Sequence, residues 1–274
     1  MDDITAVSRR PASLALIAPA LVAVLTAAVS IVGLTASIYP TEMLRQAFVP
    51  NDVVNLVIGV PLLMVTLWAV WRGSGRSQLI GQVFLPGALF FLFYSYVAYV
   101  IAVPGSPLFA AYLGLVVLSA YAIAALLATL DADSIRRAFS GTVPERGAAG
   151  VLAALGVLFL LRALSVLLKG SAAPPAEFAV SAADLAITPA WIIGGVLLWR
   201  RQAFGYVVGI GLLFQAALLF VGLIVVLMLQ PLLFALPFPT ADVIVIASMG
   251  LVCFVPFGLV LRGMLSIPTA RRSA

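Results

Sequence analysis

Residues 206–229 read YVVGIGLLFQAALLFVGLIVVLML, an uninterrupted run without one charged side chain. A helix of that length is about 36 Å long, and the hydrocarbon core of a bilayer is about 30 Å thick. An α-helix also closes its own backbone hydrogen bonds, which lipid demands of any open spanning segment. Comparable runs lie on either side, at 13–34, 53–71, 79–100, 108–130, 148–168, 180–199 and 243–261. Eight spans of about 20 residues take about 160 positions. The rest of the 274 residues is divided among tails and short connections, which leaves no room for a soluble catalytic domain. Composition agrees: 64% of the chain is hydrophobic and 9% charged, against about 25% charged in a soluble domain. The expected fold class is all-α, a polytopic transmembrane helix bundle of about eight spans.

Arginine placement tests the count independently, because Lys and Arg collect on the cytoplasmic side. Arg9, Arg10, Arg72, Arg76, Arg136, Arg137, Arg146, Arg200, Arg201, Arg262, Arg271 and Arg272 all fall on one side of these spans. The other side holds Arg45 and Lys169, with Glu42, Asp52, Glu177, Asp184 and Asp242. Both termini are therefore expected in the cytoplasm, for a multi-pass protein of the cell membrane. Topology accounts for the net charge of +5, so the basic balance gives no reason to expect a nucleic acid partner. The first span exceeds a usual signal h-region and lacks a small-residue cleavage site, and it reads as a retained helix.

Histidine is absent and Cys253 is the single cysteine. Disulfide exchange and the usual haem, zinc or copper sites are excluded, and no cofactor is expected. A hard cation held by carboxylates and water stays open. No Walker loop, HExxH, GxSxG or Rossmann fingerprint occurs. An intramembrane aspartyl protease would need a second aspartate facing Asp184. Enzymatic activity is not expected.

A shift of 128 residues places Pro61 on Pro189, Trp71-Arg72 on Trp199-Arg200 and Gly81 on Gly209, with Leu85, Ala88 and Val97 on Leu213, Ala216 and Val225. A proline followed ten and eleven residues later by Trp-Arg sets a kink and an interfacial anchor at the same spacing in both halves. The shift preserves helix direction, as a parallel repeat would; shared helix-building habits are the alternative. The expected organisation is a first four-helix half at 1–130, a cytoplasmic linker at 131–147 and a second four-helix half at 148–274.

Depth can be measured from Trp71 and Trp199. Asn55 is 16 residues from the first and Asp184 is 15 from the second, which puts both about 22 to 24 Å from the inner boundary. Arg162 and Tyr94 reach a similar level. Pro61 and Pro189 leave the carbonyls of Val57 and Leu185 without their usual donors beside this layer. The sharp expectation is an outward-facing polar pocket between spans two, three, five and six, with Arg162 and Asp184 paired or sharing a ligand. Each intramembrane charge costs about 2.5 to 3.5 kcal/mol on insertion scales, and pairing relieves both. Against this, Arg162 can snorkel to the outer headgroups and Asp184 can cap span six. Asp52 shares a helix face with Asn55, and reads more simply as a cap after the Pro50-Asn51 turn. Glu42 and Arg45 read as a solvated ion pair.

Other signals are plainer. Phe90, Phe91, Phe93, Tyr94, Tyr96 and Tyr99 read as an interfacial aromatic belt before a ligand-stacking wall. Gly205 and Gly209 form a GxxxG for close packing. Gln82 and Gln215 are buried amides that hydrogen-bond neighbouring helices, and Pro256 kinks span eight. The linker is expected to carry a short surface helix begun by Asp133 or Ser134. Residues 169–183 read as a flexible or re-entrant stretch.

Asp184-Leu185-Ala186-Ile187-Thr188-Pro189, continued by Leu197-Leu198-Trp199-Arg200-Arg201 and Gly205-Tyr206, resembles a group of uncharacterised multispan membrane proteins of bacteria and archaea. Asn55-Leu56 through Pro61, followed by Arg72-Gly73-Ser74, resembles the same group. Phe204 stands where that group often has tryptophan. The resemblance implies a prokaryotic cell-membrane protein and transfers no activity or functional residue. The leading expectation is transporter-like binding of a small polar or amphipathic solute by Arg162, Asp184, Asn55, Tyr94 and Asp52. The alternative is a non-catalytic sensor, assembly or lipid-interacting scaffold. The partners expected are the bilayer and a small-molecule or lipid ligand.

Overall fold

The computed structural model describes residues 13–267. Arg9, Arg10, Arg271 and Arg272, four of the arginines used for topology, lie outside them. The helices are α1 (Ser13–Thr35), α2 (Glu42–Val54), α3 (Val60–Arg72), α4 (Arg76–Ala102), α5 (Phe109–Thr129), α6 (Ala132–Phe139), α7 (Glu145–Leu167), α8 (Pro175–Trp199), α9 (Ala203–Phe234) and α10 (Thr240–Leu265). A π turn at Asn55–Gly59 joins α2 to α3 without a break. Eight helices among the described residues are long and apolar enough to cross a membrane, with α2, the π turn and α3 forming one of them over Glu42–Arg72. The chain is an all-helical, multi-pass membrane bundle.

Several spans run longer than their sequence pattern implies. Span two begins at Glu42, where Thr41 caps α2 by accepting the amide of Leu44 at 3.3 Å. Pro50 therefore lies inside the helix and Asp52 is no cap. A helical proline leaves the carbonyl four residues earlier without a donor, and here Gln230 of α9 supplies one to Gln46 at 3.2 Å. Span six begins at Pro175 behind Pro174, so Asp184 is an interior residue and not an N-cap. Residues 169–183, expected as flexible or re-entrant, form a short 3-10 turn and then the first part of α8. Once Pro175 occupies the first turn, where its missing N–H costs nothing, the alanine-rich stretch after it continues as helix.

The centre of the bundle is the crossing of α4 and α9. A Cβ on Gly87 would strike the carbonyl of Gly211, and one on Gly211 would lie 2.7 Å from the carbonyl of Val83. Glycine at both positions lets the backbones approach closely. Phe84 stacks on Phe214 beside the crossing, with ring centroids 4.5 Å apart. Around this axis α4 meets α3, α5 and α8, while α9 meets α8, α10, α2 and α6. The remaining close neighbours are α1 with α5 and α7 with α8. Gly205 and Gly209 pack α9 onto α8, Gly209 against the Gly194 carbonyl at a would-be Cβ distance of 2.7 Å.

Central placement explains why the aromatic belt reading fails for much of α4. Phe91, Tyr96 and Tyr99 are buried because helices surround α4 on several sides, and aromatic rings fill the gaps between them. Phe90, Phe93 and Tyr94 are half-buried.

The ends bearing Arg72, Arg76, Arg201 and Arg262 gather together. Arg76 donates to the Leu265 and Ile267 carbonyls at 2.5 and 3.3 Å, closing the end of α10. The linker helix α6 buries Ile135 and Phe139 and leaves its charges outward. Its cap is Asp131, two positions before the nearer expected start at Asp133, accepting the Ser134 amide at 3.1 Å and the Ser134 hydroxyl at 2.7 Å. Those two donors hold the Asp131 carboxyl below the usual aspartate value. Its capping contribution is present at neutral pH and begins to fade as the pH drops past the unfolded aspartate value of about 3.9. Glu42 and Arg45 pair at 3.5 Å on an exposed surface.

The crossing makes a direct prediction. Gly211→Leu forces a side chain into the Val83 carbonyl and should lower detergent-solubilised stability by about 1 to 3 kcal/mol or more. Gly114→Leu, at a glycine with open space around its Cβ position, should leave the melting temperature unchanged.

Candidate functional site

Two buried polar networks sit on different faces of α4, where neighbouring residues Tyr94 and Ser95 point about 100° apart. The first joins α4, α7 and α8. An Arg162 Nη1 donates to Asp184 Oδ2 at 3.0 Å, and the Tyr94 hydroxyl donates to Asp184 Oδ1 at 3.0 Å. The carboxylate is buried, while the Arg162 side chain keeps 46% of its surface exposed. The two ends of this ion pair therefore face different media: the acid is enclosed and the base opens outward.

Small residues bring α7 and α8 close enough for that reach. A Cβ on Gly156 would press on Trp191 and Ile192, and one on Gly195 would meet Ala149 and Ala153. Ala163, Ala179 and Ala183 are fully buried near the pair. The buried face of α8 continues the polar theme with Ser181 and Thr188, whose hydroxyls have no hydrogen-bond partner. Further along, Trp191 Nε1 donates to Gln215 Oε1 at 2.6 Å, and the Gln215 Nε2 group has no partner. Around Arg162 the exterior is apolar, with Leu158, Leu161, Leu164 and Leu185 exposed.

The second network joins α1, α2, α4 and the α1–α2 loop. The Tyr39 hydroxyl donates to Asp52 Oδ2 and the Tyr99 hydroxyl to Asp52 Oδ1, the latter at 2.8 Å. Asn51 Nδ2 donates to Ser95 Oγ at 2.9 Å and to the Tyr99 oxygen at 3.2 Å, and Asn55 Nδ2 donates to Ser95 Oγ at 3.0 Å. Gly33 of α1 leaves room for the carboxylate, since a Cβ there would collide with Asp52.

Of the five candidate residues, then, Arg162, Asp184 and Tyr94 come together. Asn55 and Asp52 belong to the other network, and equal depth did not place them on the same side of α4. Tyr39 and Ser95 were not singled out from sequence, Asn51 read only as part of a turn and Tyr99 only as one of the belt aromatics. A signal existed: Asn51 and Asn55 are spaced i, i+4, as are Ser95 and Tyr99, so each helix presents a polar ladder on one face.

A third cluster ties the basic end. Buried Glu145 accepts the Tyr206 hydroxyl at 2.9 Å and the Gly141 amide at 3.1 Å, with Arg201 at 3.7 Å. Among the described residues no group of three or more His, Cys, Asp or Glu side chains could hold a metal ion. A shallow cavity of about 400 Å³ lies between α7 and α10, lined by Gly147, Val151, Leu251, Val252, Val255, Pro256 and Leu259. No family model, curated protein or solved structure matches the chain.

A double-mutant cycle on Arg162→Gln and Asp184→Asn should return a coupling energy of about 1 to 3 kcal/mol in thermal or denaturant unfolding. Asp184→Asn alone should cost less than Arg162→Gln alone, because the latter strands an anion in the bundle whereas the former leaves a cation that reaches outward. The reverse order would mean that Arg162 is the more enclosed partner.

Proposed function

We propose that this chain is a transporter-like protein of the cell membrane that binds a small polar or amphipathic solute in an outward-facing site built on Arg162, Asp184 and Tyr94. The observation that carries the reading is the half-exposed Arg162 side chain whose guanidinium is held against a buried carboxylate. A charge inside the apolar layer is costly and, by default, marks a site. Asp184 uses one side of the guanidinium, which leaves other N–H donors for an acidic or polar group of a ligand. The exposed leucines beside Arg162 suit an alkyl portion, which favours amphipathic anions within this class. Both termini on the cytoplasmic side, the orientation that the arginines favour, would put this site toward the exterior.

Two halves, 1–130 and 148–274, that can rock against each other complete the reading. Support comes from the π turn. A π turn takes one residue more than an α turn, so positions before it pair at an offset of 129 and those after it at 128. Asn55 then falls on Asp184, and their distances from Trp71 and Trp199 differ by that one residue. Neighbour relations follow the same exchange. α3 against α4 corresponds to α8 against α9, and α4 against α8 corresponds to α9 against α2. Val83 and Gly211, equivalent by the shift, meet each other at the crossing.

The alternative, a lipid-interacting scaffold, draws on the apolar cavity between α7 and α10, which is remote from Arg162 in sequence register and lies toward the basic end. Stable co-purification of a second protein would favour it.

The test measures thermal stabilisation of the purified full chain by short and long alkyl carboxylates. Arg162→Ala and Asp184→Ala should each abolish the stabilisation seen with the native chain while inserting normally. Full response in both variants would remove the site.

A further inference from the structure

Asp52 is a buried acid of a different kind from Asp184. It is 1% exposed, and among the described residues no cation reaches it. The groups that face it are Tyr39 of the α1–α2 loop, Tyr96 and Tyr99 of α4 and Tyr112 of α5, while Asn51 of its own helix bonds Tyr99 and α1 offers Gly33. Arg45, two turns earlier on α2, pairs with Glu42 and lies over the Phe234 ring at 5.2 Å. An anion enclosed without a counter-charge is expensive, and a proton removes the charge at once.

The hydrogen-bond geometry accommodates that proton. The Tyr99 hydroxyl has two acceptors within reach, Asp52 Oδ1 at 2.8 Å and the Phe48 carbonyl at 3.2 Å, and one hydrogen to give. With Asp52 ionised, Tyr99 donates to Oδ1. With a proton bound at Oδ1, the carboxyl O–H donates to the Tyr99 oxygen and the Tyr99 hydrogen turns to the Phe48 carbonyl. Tyr39, Tyr99, Asn51 and both carboxyl oxygens each keep a partner in either state, so the site holds both without rearranging the helices. Tyr39, bonded to the other carboxyl oxygen, belongs to the loop between α1 and α2 and connects the acid to the end of the bundle where that loop lies.

We propose that Asp52 is a reversible proton-binding site of this protein, with Tyr99 as the hydroxyl that switches acceptor and Tyr39 as the link to the surface. The step is a simple binding equilibrium: one proton arrives from solution, one carboxylate becomes one carboxylic acid, and no other bond is made or broken. The inference is independent of the solute site, because it involves none of Arg162, Asp184 or Tyr94, and it stands if that site fails.

Infrared difference spectra of the purified full chain, taken between roughly pH 5.5 and pH 9, above the ordinary carboxyl titrations near pH 4, read the carbonyl band of a protonated buried acid directly. The native chain should show such a band titrating in that interval. Asp52→Asn should remove it and Asp184→Asn should keep it. Tyr99→Phe deprives the carboxyl O–H of its acceptor and should move the band to higher frequency, a readout that decides the case even if Asp52→Asn does not fold. No titrating band in the native chain, an unchanged band in Asp52→Asn, or an unmoved band in Tyr99→Phe would each overturn the proposal. Loss of the band on adding sodium at constant pH would also overturn it, by making a metal cation the occupant.

Discussion

In hydrocarbon a polar atom cannot turn to water, and that constraint organises this bundle. Several of its helix interruptions and buried polar side chains are answered from another helix. The carbonyl freed by Pro50 is answered by Gln230, the indole N–H of Trp191 by Gln215, and the carboxylate of Asp184 by both Arg162 and Tyr94. These bonds join α2 to α9, α8 to α9, and α8 to α7 and α4. Polar satisfaction therefore does for this protein part of what apolar burial does in water: it specifies which helices are neighbours.

The glycine crossing of α4 and α9 sets the geometry within which those bonds form. Because the two backbones touch, α4 has neighbours on nearly every side, and its consecutive residues Tyr94 and Ser95 serve different networks. One network contains a charge pair that opens outward. The other contains an acid among phenols and amides. A single central helix thus bonds both acids, Asp184 through Tyr94 and Asp52 through Tyr99, and holds them apart.

Much of the architecture was legible in the sequence because it rests on one-dimensional patterns. Apolar runs count spans, and Pro61 with Trp71 and Pro189 with Trp199 recur at the same spacing in both halves of the sequence. Boundaries were legible less well. Asp52, after the Pro50-Asn51 turn, and Asp184 looked like helix caps because aspartate favours that position, and only the partner helices show why Pro50 and both acids are tolerated deep inside. The aromatics of α4 looked interfacial because nothing in their spacing says how many helices surround them. A common level was readable for Arg162, Asp184, Tyr94 and Asn55, which meet through adjacent residues of α4, but azimuth was not. The π turn at Asn55–Gly59 rotates the chain between the depth marker Trp71 and the polar residues above it, which no count along the sequence registers.

By itself the sequence determined that this chain spans a membrane with about eight helices, and it narrowed intramembrane charge to a few side chains, because length and hydropathy act residue by residue. Tertiary structure decided which of those side chains meet. Arg162 finds Asp184 because glycines and alanines let α7 and α8 close together, and Asp52 finds only tyrosines because α1, α2, α4 and α5 enclose it without a cation. Pairing depends on rotation about helix axes and on the approach of backbones distant in sequence, and those are properties of the packed bundle alone.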